Sequence, residues 1–244
     1  MKTKIEEQIT MENSFHFTYQ NLENQLSKAL KKGYQFISCE EYFHLDISNK
    51  LKNKQIIFRV DIDLSVKKAE KLGIIFKKLG INASFFIRLH AKEYNPFSFE
   101  NYRIIKNLIK NGNEIGYHSE IIDQSKIWNE DPAACLTKDI DILNKIFDIN
   151  ISGVASHGGM TGLNNLDFWK KNNISDFGLL YEAYDWFDKF FYISDSEWTQ
   201  WKCYEKGNLK QGDRRSFGDH VDDNHNMIYL LIHSDTYFDK HFYE

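Results

Sequence analysis

Between Gln55 and Ile87 the sequence reads strand, helix, strand, and no other feature restricts the fold as much. Gln55 to Ser65 is QIIFRVDIDLS, an apolar, β-prone run through Ile56, Ile57 and Phe58 that carries Asp61 and Asp63 at its end. Ser65 suits a helix N-cap. Val66, Ala69, Leu72, Phe76 and Leu79 then mark one side of a helix that stops at Gly80. Ile81 to Ile87 (INASFFI) is rich in aromatic and β-branched residues and reads as the next strand. Two strands joined through a helix lie parallel, and their crossover is right-handed.

The same order recurs along the chain. Asn21 to Lys32 predicts a helix closed by Gly33, with Leu22, Leu26, Ala29 and Leu30 on one face, and Tyr34 to Ser38 a short strand. Residues 1–15 read as a polar lead-in and 45–54 as a polar connection. Phe99 to Lys110 predicts a helix closed by Gly112, followed by a short strand, Glu114 to Tyr117, that delivers His118. Asp131-Pro132 is a cap followed by proline at the first helical position, and Cys135, Leu136, Leu143 and Phe147 recur behind it at helical spacing. Ile151 to Ala155 predicts a strand that runs into Ser156-His157, and Leu163 to Lys171 a helix. Ser175 to Trp201 is irregular, with strand-like pieces FGLLYEA and KFFYIS. Met227 to Ile232 is a final apolar strand ending in His233. Alternating strands and helices predict a parallel α/β sheet or barrel. We expect one domain over residues 1–244, with 1–50 as an N-terminal extension packed on it.

Composition narrows the function classes. A formal net charge of -4 argues against a broad nucleic-acid-binding surface. Cys39, Cys135 and Cys203 are an odd number at wide spacing, which supplies neither a disulfide framework nor a Cys-x-x-Cys metal site. The N-terminal stretch has no apolar signal-peptide core, and no segment is long enough to span a membrane. The expectation is a soluble, cytoplasmic protein. Its 15% aromatic content suggests an aromatic-rich core or groove.

Four predicted strands end in chemistry-bearing groups: Asp61 and Asp63 on one, His118, His157 and His233 on the others. Residues i and i+2 of a strand share a face, so the two aspartates project together. Such a pair resists joint ionisation unless a cation or a proton sits between them. An Asp-x-Asp in a loop is by default a solvated acidic turn, and one histidine after a strand is by default structural. The convergence weighs against both defaults, because parallel strands share one rim at their C-terminal ends. A carboxylate with two imidazoles is a standard ligand set for a catalytic divalent metal.

Four ordered pieces resemble the polysaccharide deacetylase superfamily, the NodB-homology or carbohydrate esterase family 4 domain. RVDIDLS resembles its first motif, KLGINASFFI the helix and strand behind it, NGNEIGYHSE the segment that delivers a metal-binding histidine, and LLIHSD its last motif. They span residues 55–233. The closest likeness is to a branch found among bacterial surface-polysaccharide biosynthesis proteins, which YEAYDWFDKFFYISDS fits best. The resemblance implies a distorted (β/α) barrel of about seven parallel strands and metal-assisted removal of an N-acetyl or similar acyl group from a sugar or polysaccharide precursor. There are departures. Ile62 separates the two aspartates, Ile122 stands where the family has a second histidine, and Ala155-Ser156-His157-Gly158 lies where an Arg-x-Pro-Tyr motif belongs.

On that resemblance Asp63, His118 and His157 are the expected metal ligands, with His157 replacing the missing histidine and Glu120 and Asp123 its rivals. The ion is expected to be zinc. Asp61 is the expected base and His233 the expected acid, although Asp61 and Asp63 are interchangeable at this stage. Arg59, Tyr184, Asp185 and Trp186 are expected at the substrate, with Trp198 a further candidate; a buried ion pair for Arg59 and plain packing for the aromatics are the competing expectations. A carbohydrate-binding protein with a degenerate metal site is the alternative function.

Overall fold

Strand β2 (Gln55–Ile62) is buried along its whole length, and the sheet is laid out on either side of it. The coordinates are a computed structural model, which describes residues 16–46, 54–196 and 200–241. The lead-in 1–15, most of the 45–54 connection and Trp198 lie outside the described residues. Beyond β2 the strands are β1 (Gln35–Ile37), β3 (Ser84–Ile87), β4 (Glu114–Ser119), β5 (Gly153–Ser156), β6 (Tyr181–Glu182), β7 (Phe191–Ser194), β8 (Lys202–Glu205), β9 (Asn208–Leu209) and β10 (Met227–His233). The path across the sheet is β6-β5-β4-β3-β2-β10-β7-β8-β9, with β1 beside the start of β2. All pairings from β6 to β7 are parallel. The chain is thus a mixed α/β protein with a mostly parallel sheet.

Side-chain alternation splits the core in two. Ile56, Phe58, Val60 and Ile62 of β2 join an outer cluster, while Ile57 joins an inner one with Phe86, Tyr181, Tyr192, Tyr229 and Trp186. The outer face is covered by amphipathic helices α1 (Tyr19–Lys31), α3 (Val66–Leu79), α4 (Phe99–Lys110) and α6 (Pro132–Phe147), which bury Leu26, Phe76, Leu108 and Leu143 against it. A short helix α2 (Cys39–His44) lies between β1 and β2. The expected caps are present: Ser65 accepts from Lys68 N–H, Asp131 accepts from Ala134 N–H, and Gly80 takes φ 66°.

The inner face curls. Four strands separate β6 from β10, yet Trp186 packs 5.0 Å from the Tyr181 ring and 6.2 Å from the Tyr229 ring. Close approach is built into the interior: a Cβ on Gly153 would fall 2.0 Å from the Tyr181 ring. No hydrogen bond joins β6 to β7 among the described residues, so the sheet is open there.

Besides the short helix α2, the structure adds three elements to the sequence expectation. Helix α5 (Ile121–Trp128) follows β4 directly; its Ile127 and Trp128 are exposed, which blurs the amphipathic pattern. A hairpin of β8 and β9 extends the sheet with antiparallel pairing. Its turn, Lys206-Gly207, has positive φ at both residues, a geometry that sequence usually announces with asparagine or aspartate instead of lysine. A last helix, α7 (Phe217–His220), precedes β10. The segment expected as helix 163–171 is instead a 3-10 turn, Asn165–Lys170, that starts under the cap of Asn164. Among the described residues no helix is long and apolar enough to cross a membrane.

Candidate active site

The C-terminal ends of β2, β4, β5 and β10 meet on one rim. Asp61 pairs in register with Phe86 and with His233, and His118 with Ala155. The curl of the sheet brings His157, just past β5, to the same place. Asp63, His118 and His157 each offer a ligand atom, and these atoms lie within 4.8 Å of one another. The two imidazole rings stand edge to face, 5.0 Å apart.

His118 sits between the two aspartates. Its Nε2 lies 3.3 Å from Asp61 Oδ2 and 3.3 Å from Asp63 Oδ1. Its Nδ1 is 2.8 Å from the Ala155 carbonyl oxygen, which fixes the proton there and turns Nε2 towards the carboxylates. Burial works against a charged His118 ring, but Asp61 and Asp63 outweigh it and push the ring above its ordinary value. Burial likewise opposes ionisation of Asp63, and the hydrogen bond and charge of His118 overcome it, holding Asp63 well below the usual carboxylate range.

Asp61 is held from below. Arg59 Nε and Nη2 donate to its two oxygens at 2.8 and 2.7 Å, a bidentate fork at a fully buried guanidinium. The fork outweighs the burial that would raise the Asp61 carboxyl, and keeps it ionised. Arg59 is therefore beneath the site and not at its mouth, as its strand position two residues before Asp61 on the same inner face requires. It lies 4.5 Å from the Tyr184 ring centroid.

His233 has its own carboxylate. Its Nδ1 lies 2.6 Å from Asp195 Oδ1, and its Nε2 faces Asp63 at 3.9 Å. Burial lowers this ring, Asp195 more than compensates, and the result is a pKa pushed up to about 9. Sequence reasoning missed Asp195. The signal was present, since KFFYIS is an apolar strand running directly into Asp195, the same pattern that marked the other strand ends.

Of the rivals of His157, Asp123 takes other partners, whereas Glu120 engages Arg88 and His157 through one oxygen and leaves Oε2 without a hydrogen bond. Glu120 Oε1 accepts from Arg88 at 2.8 Å and lies 3.3 Å from His157 Nδ1, while Arg88 also donates to the Asp63 carbonyl. Asp123 accepts from the backbone N–H of Met160 and Thr161, the Thr161 hydroxyl and the Asn165 amide. Asn165 in turn donates to the His157 carbonyl. Asp123 and Asn165 thus clamp the loop that carries His157.

The expected substrate residues divide. Trp186 is buried in the inner aromatic cluster, packed 4.9 Å from Tyr42, and does not line a groove. Asp185 is exposed, but its carboxylate accepts from Glu182 N–H and caps the turn Ala183–Trp186. Tyr184 is half-buried over Arg59.

The donor set suits a divalent metal. Asp63 Oδ1 and His157 Nδ1 are buried, each faces a single side chain at 3.3 Å, His118 and Glu120 respectively, and both residues belong to the three-residue group. One carboxylate with two imidazoles matches zinc in an open catalytic site.

No family model matches the sequence, and no match is found among curated proteins. Solved structures similar to the chain include the Streptococcus pyogenes deacetylase PplD in complex with acetate, at 19% identity and TM-score 0.44 over 56% of this chain and 61% of that one. IcaB from Ammonifex degensii is 17% identical, with TM-score 0.42 over 62% of this chain and 71% of that one. A family 4 carbohydrate esterase from Bacillus anthracis is 15% identical, with TM-score 0.43 over 86% of this chain and 76% of that one. The chain thus spans less than two thirds of the length of PplD. At these values the similarity is distant, and what those proteins act on is said of them alone.

Proposed function

We propose that the chain is a metal-dependent hydrolase that removes an N-acetyl or similar acyl group from a sugar or polysaccharide precursor. The observation that carries the proposal is the meeting of Asp63, His118 and His157 beside two further groups, the Arg59-held Asp61 and the Asp195-held His233. Asp63, His118 and His157 hold the ion, which we take to be zinc. Bound there, it supplies Lewis-acid polarisation of the acyl carbonyl and acidifies a water, so that a weakly basic carboxylate suffices as its proton acceptor.

Asp61 is that acceptor. The Arg59 fork keeps it ionised and fixes its direction on the same strand face as Asp63. We give Asp63 the ligand role because both oxygens of Asp61 are taken by the Arg59 fork, whereas Asp63 Oδ1 meets only the Nε2 of His118, itself a proposed ligand. His233, charged at neutral pH through Asp195, gives a proton to the departing amine. His118 and His157 are oriented by the Ala155 carbonyl and by the Asp123–Asn165 clamp. Placement in the cytoplasm, on a route to surface polysaccharide, is part of the same proposal.

Elemental analysis of the purified chain, with acetate release from a panel of N-acetylated sugars, tests the proposal. His118→Ala and His157→Ala are each expected to lose one equivalent of metal relative to wild type, and acetate release with it. Metal retained in His157→Ala would move the third ligand elsewhere. Metal bound by a wild type that releases no acetate, and binds sugar, would favour the carbohydrate-binding alternative.

A further inference from the structure

A second group of metal-ligating side chains lies away from the rim. Cys203 stands on β8, Asp213 in the loop after β9, and His220 at the end of α7. Each offers one ligand atom, and the three atoms lie within 4.8 Å of one another. All three belong to the segment that leaves the sheet at the hairpin and returns at the start of β10, at the opposite end of that strand from His233.

The histidine is prepared as a ligand. His220 is 1% exposed. Its Nδ1 lies 3.2 Å from Asp223 Oδ2, and a ring that donates from Nδ1 to a carboxylate presents a bare lone pair at Nε2. That Nε2 has no hydrogen-bond partner. It faces Asp213 Oδ1 at 3.5 Å, with the Cys203 sulfur close by. Asp213 Oδ1 also accepts from the Arg215 backbone N–H and Nε, so the unpartnered member of the group is the buried His220 Nε2, which faces a carboxylate oxygen and a free thiol that suit a shared cation.

The surroundings complete a second layer. Arg215 donates to Asp213 at 2.9 Å and lies 3.0 Å from Asp223, so both carboxylates are already balanced without a charged His220 ring. His225, whose Nε2 also lacks a partner, stacks on Phe191 at 3.9 Å and offers a ligand atom within 4.8 Å of one on each of His220 and Asp223. Cys203 is buried and free of any disulfide. Thiolate, imidazole and carboxylate together select zinc over magnesium or calcium, which prefer oxygen ligands throughout.

We infer that Cys203, Asp213 and His220 form a second, structural zinc site that ties the β8–β9 hairpin to the segment entering β10. The site is independent of the proposed hydrolase reading.

Cobalt reconstitution of the full chain tests it. A thiolate bound to cobalt(II) gives an intense near-ultraviolet charge-transfer band, and the candidate active site contains no sulfur, so the band reports this site alone. Wild type is expected to show the band and lose it on displacement by zinc, and His118→Ala, which lacks the proposed rim site, to show it saturating at one equivalent. Cys203→Ser and His220→Ala are expected to lose the band. Asp213→Asn should keep the band while weakening the metal at least tenfold. A folded wild type that shows no band with excess cobalt overturns the inference without recourse to any variant. A band undiminished in Cys203→Ser does the same, by placing the thiolate at Cys39 or Cys135.

Discussion

Replacing Asp195 with asparagine isolates the contribution of one carboxylate to the rim. In the wild type burial lowers His233, and Asp195 first, with Asp61 and Asp63 behind it, raises the ring from 6.5 to about 9. At about 1.4 kcal/mol for each tenfold change, this is a preference of about 3 kcal/mol for the charged ring in the folded protein. The folded pKa is the higher one, so the stabilisation is fully present below about pH 6.5 and is lost as pH rises through about 9. Asparagine keeps the shape and one acceptor but not the charge. His233 then keeps only the attraction of Asp61 and Asp63 against burial, and its pKa falls. Asp195→Asn should therefore cost up to about 3 kcal/mol at pH 6 and much less at pH 10, measured by urea unfolding at both. The basic limb of the acetate-release profile should move down from about pH 9. Equal destabilisation at the two pH values, or an unmoved basic limb, would refute the pairing as the source of the His233 charge.

Three further outcomes follow from the geometry. Metal affinity at the rim should weaken as pH falls, because His118, raised by its two aspartates, must release its proton to bind; calorimetry in buffers of different ionisation enthalpy counts that proton. Asp123→Ala should lower the affinity for zinc by about 10- to 100-fold in a competition titration with a chelator, while circular dichroism stays unchanged, since it frees the loop of His157 without touching the ion. Gly153→Ala drives a methyl into the Tyr181 ring and should destabilise the fold by about 1–3 kcal/mol or more in thermal unfolding, whereas a melting temperature equal to wild type would mean the interior is looser than described.

The parallel sheet was legible because its period is local. Ile56, Phe58 and Val60 against Ile57 and Arg59 form a two-residue alternation, and Ser65, Gly80 and Asp131-Pro132 punctuate it with residues that have one structural use each. The convergence of Asp63, His118 and His157 was legible for a topological reason: parallel strands end on one side. For Arg59 and Trp186 the sequence left burial and substrate contact both open, because strand parity says which face a residue takes but not how far below the rim it lies, and both prove to be buried. Trp186 reaches the interior only through the curl that brings β6 and β10 together, a contact between strands far apart in sequence. The strand end at Asp195 was legible but its partner His233 was not, and the Asp123–Asn165 clamp was hidden altogether, because these contacts join segments far apart in sequence. The Lys206-Gly207 turn was hidden because lysine at positive φ is an uncommon choice.

The three rim ligands differ in how they are anchored, and this bears on rates as well as affinities. Asp63 and His118 sit at or just past strand ends inside the sheet, whereas His157 rides on a loop with its side chain 19% exposed. If these residues hold an ion as proposed, His157 is the ligand nearest solvent, although its backbone N–H also donates to the Ser119 carbonyl on β4. Loosening the Asp123–Asn165 clamp should then speed exchange of the ion with a chelator, and an exchange rate unchanged in Asp123→Ala would place its control elsewhere.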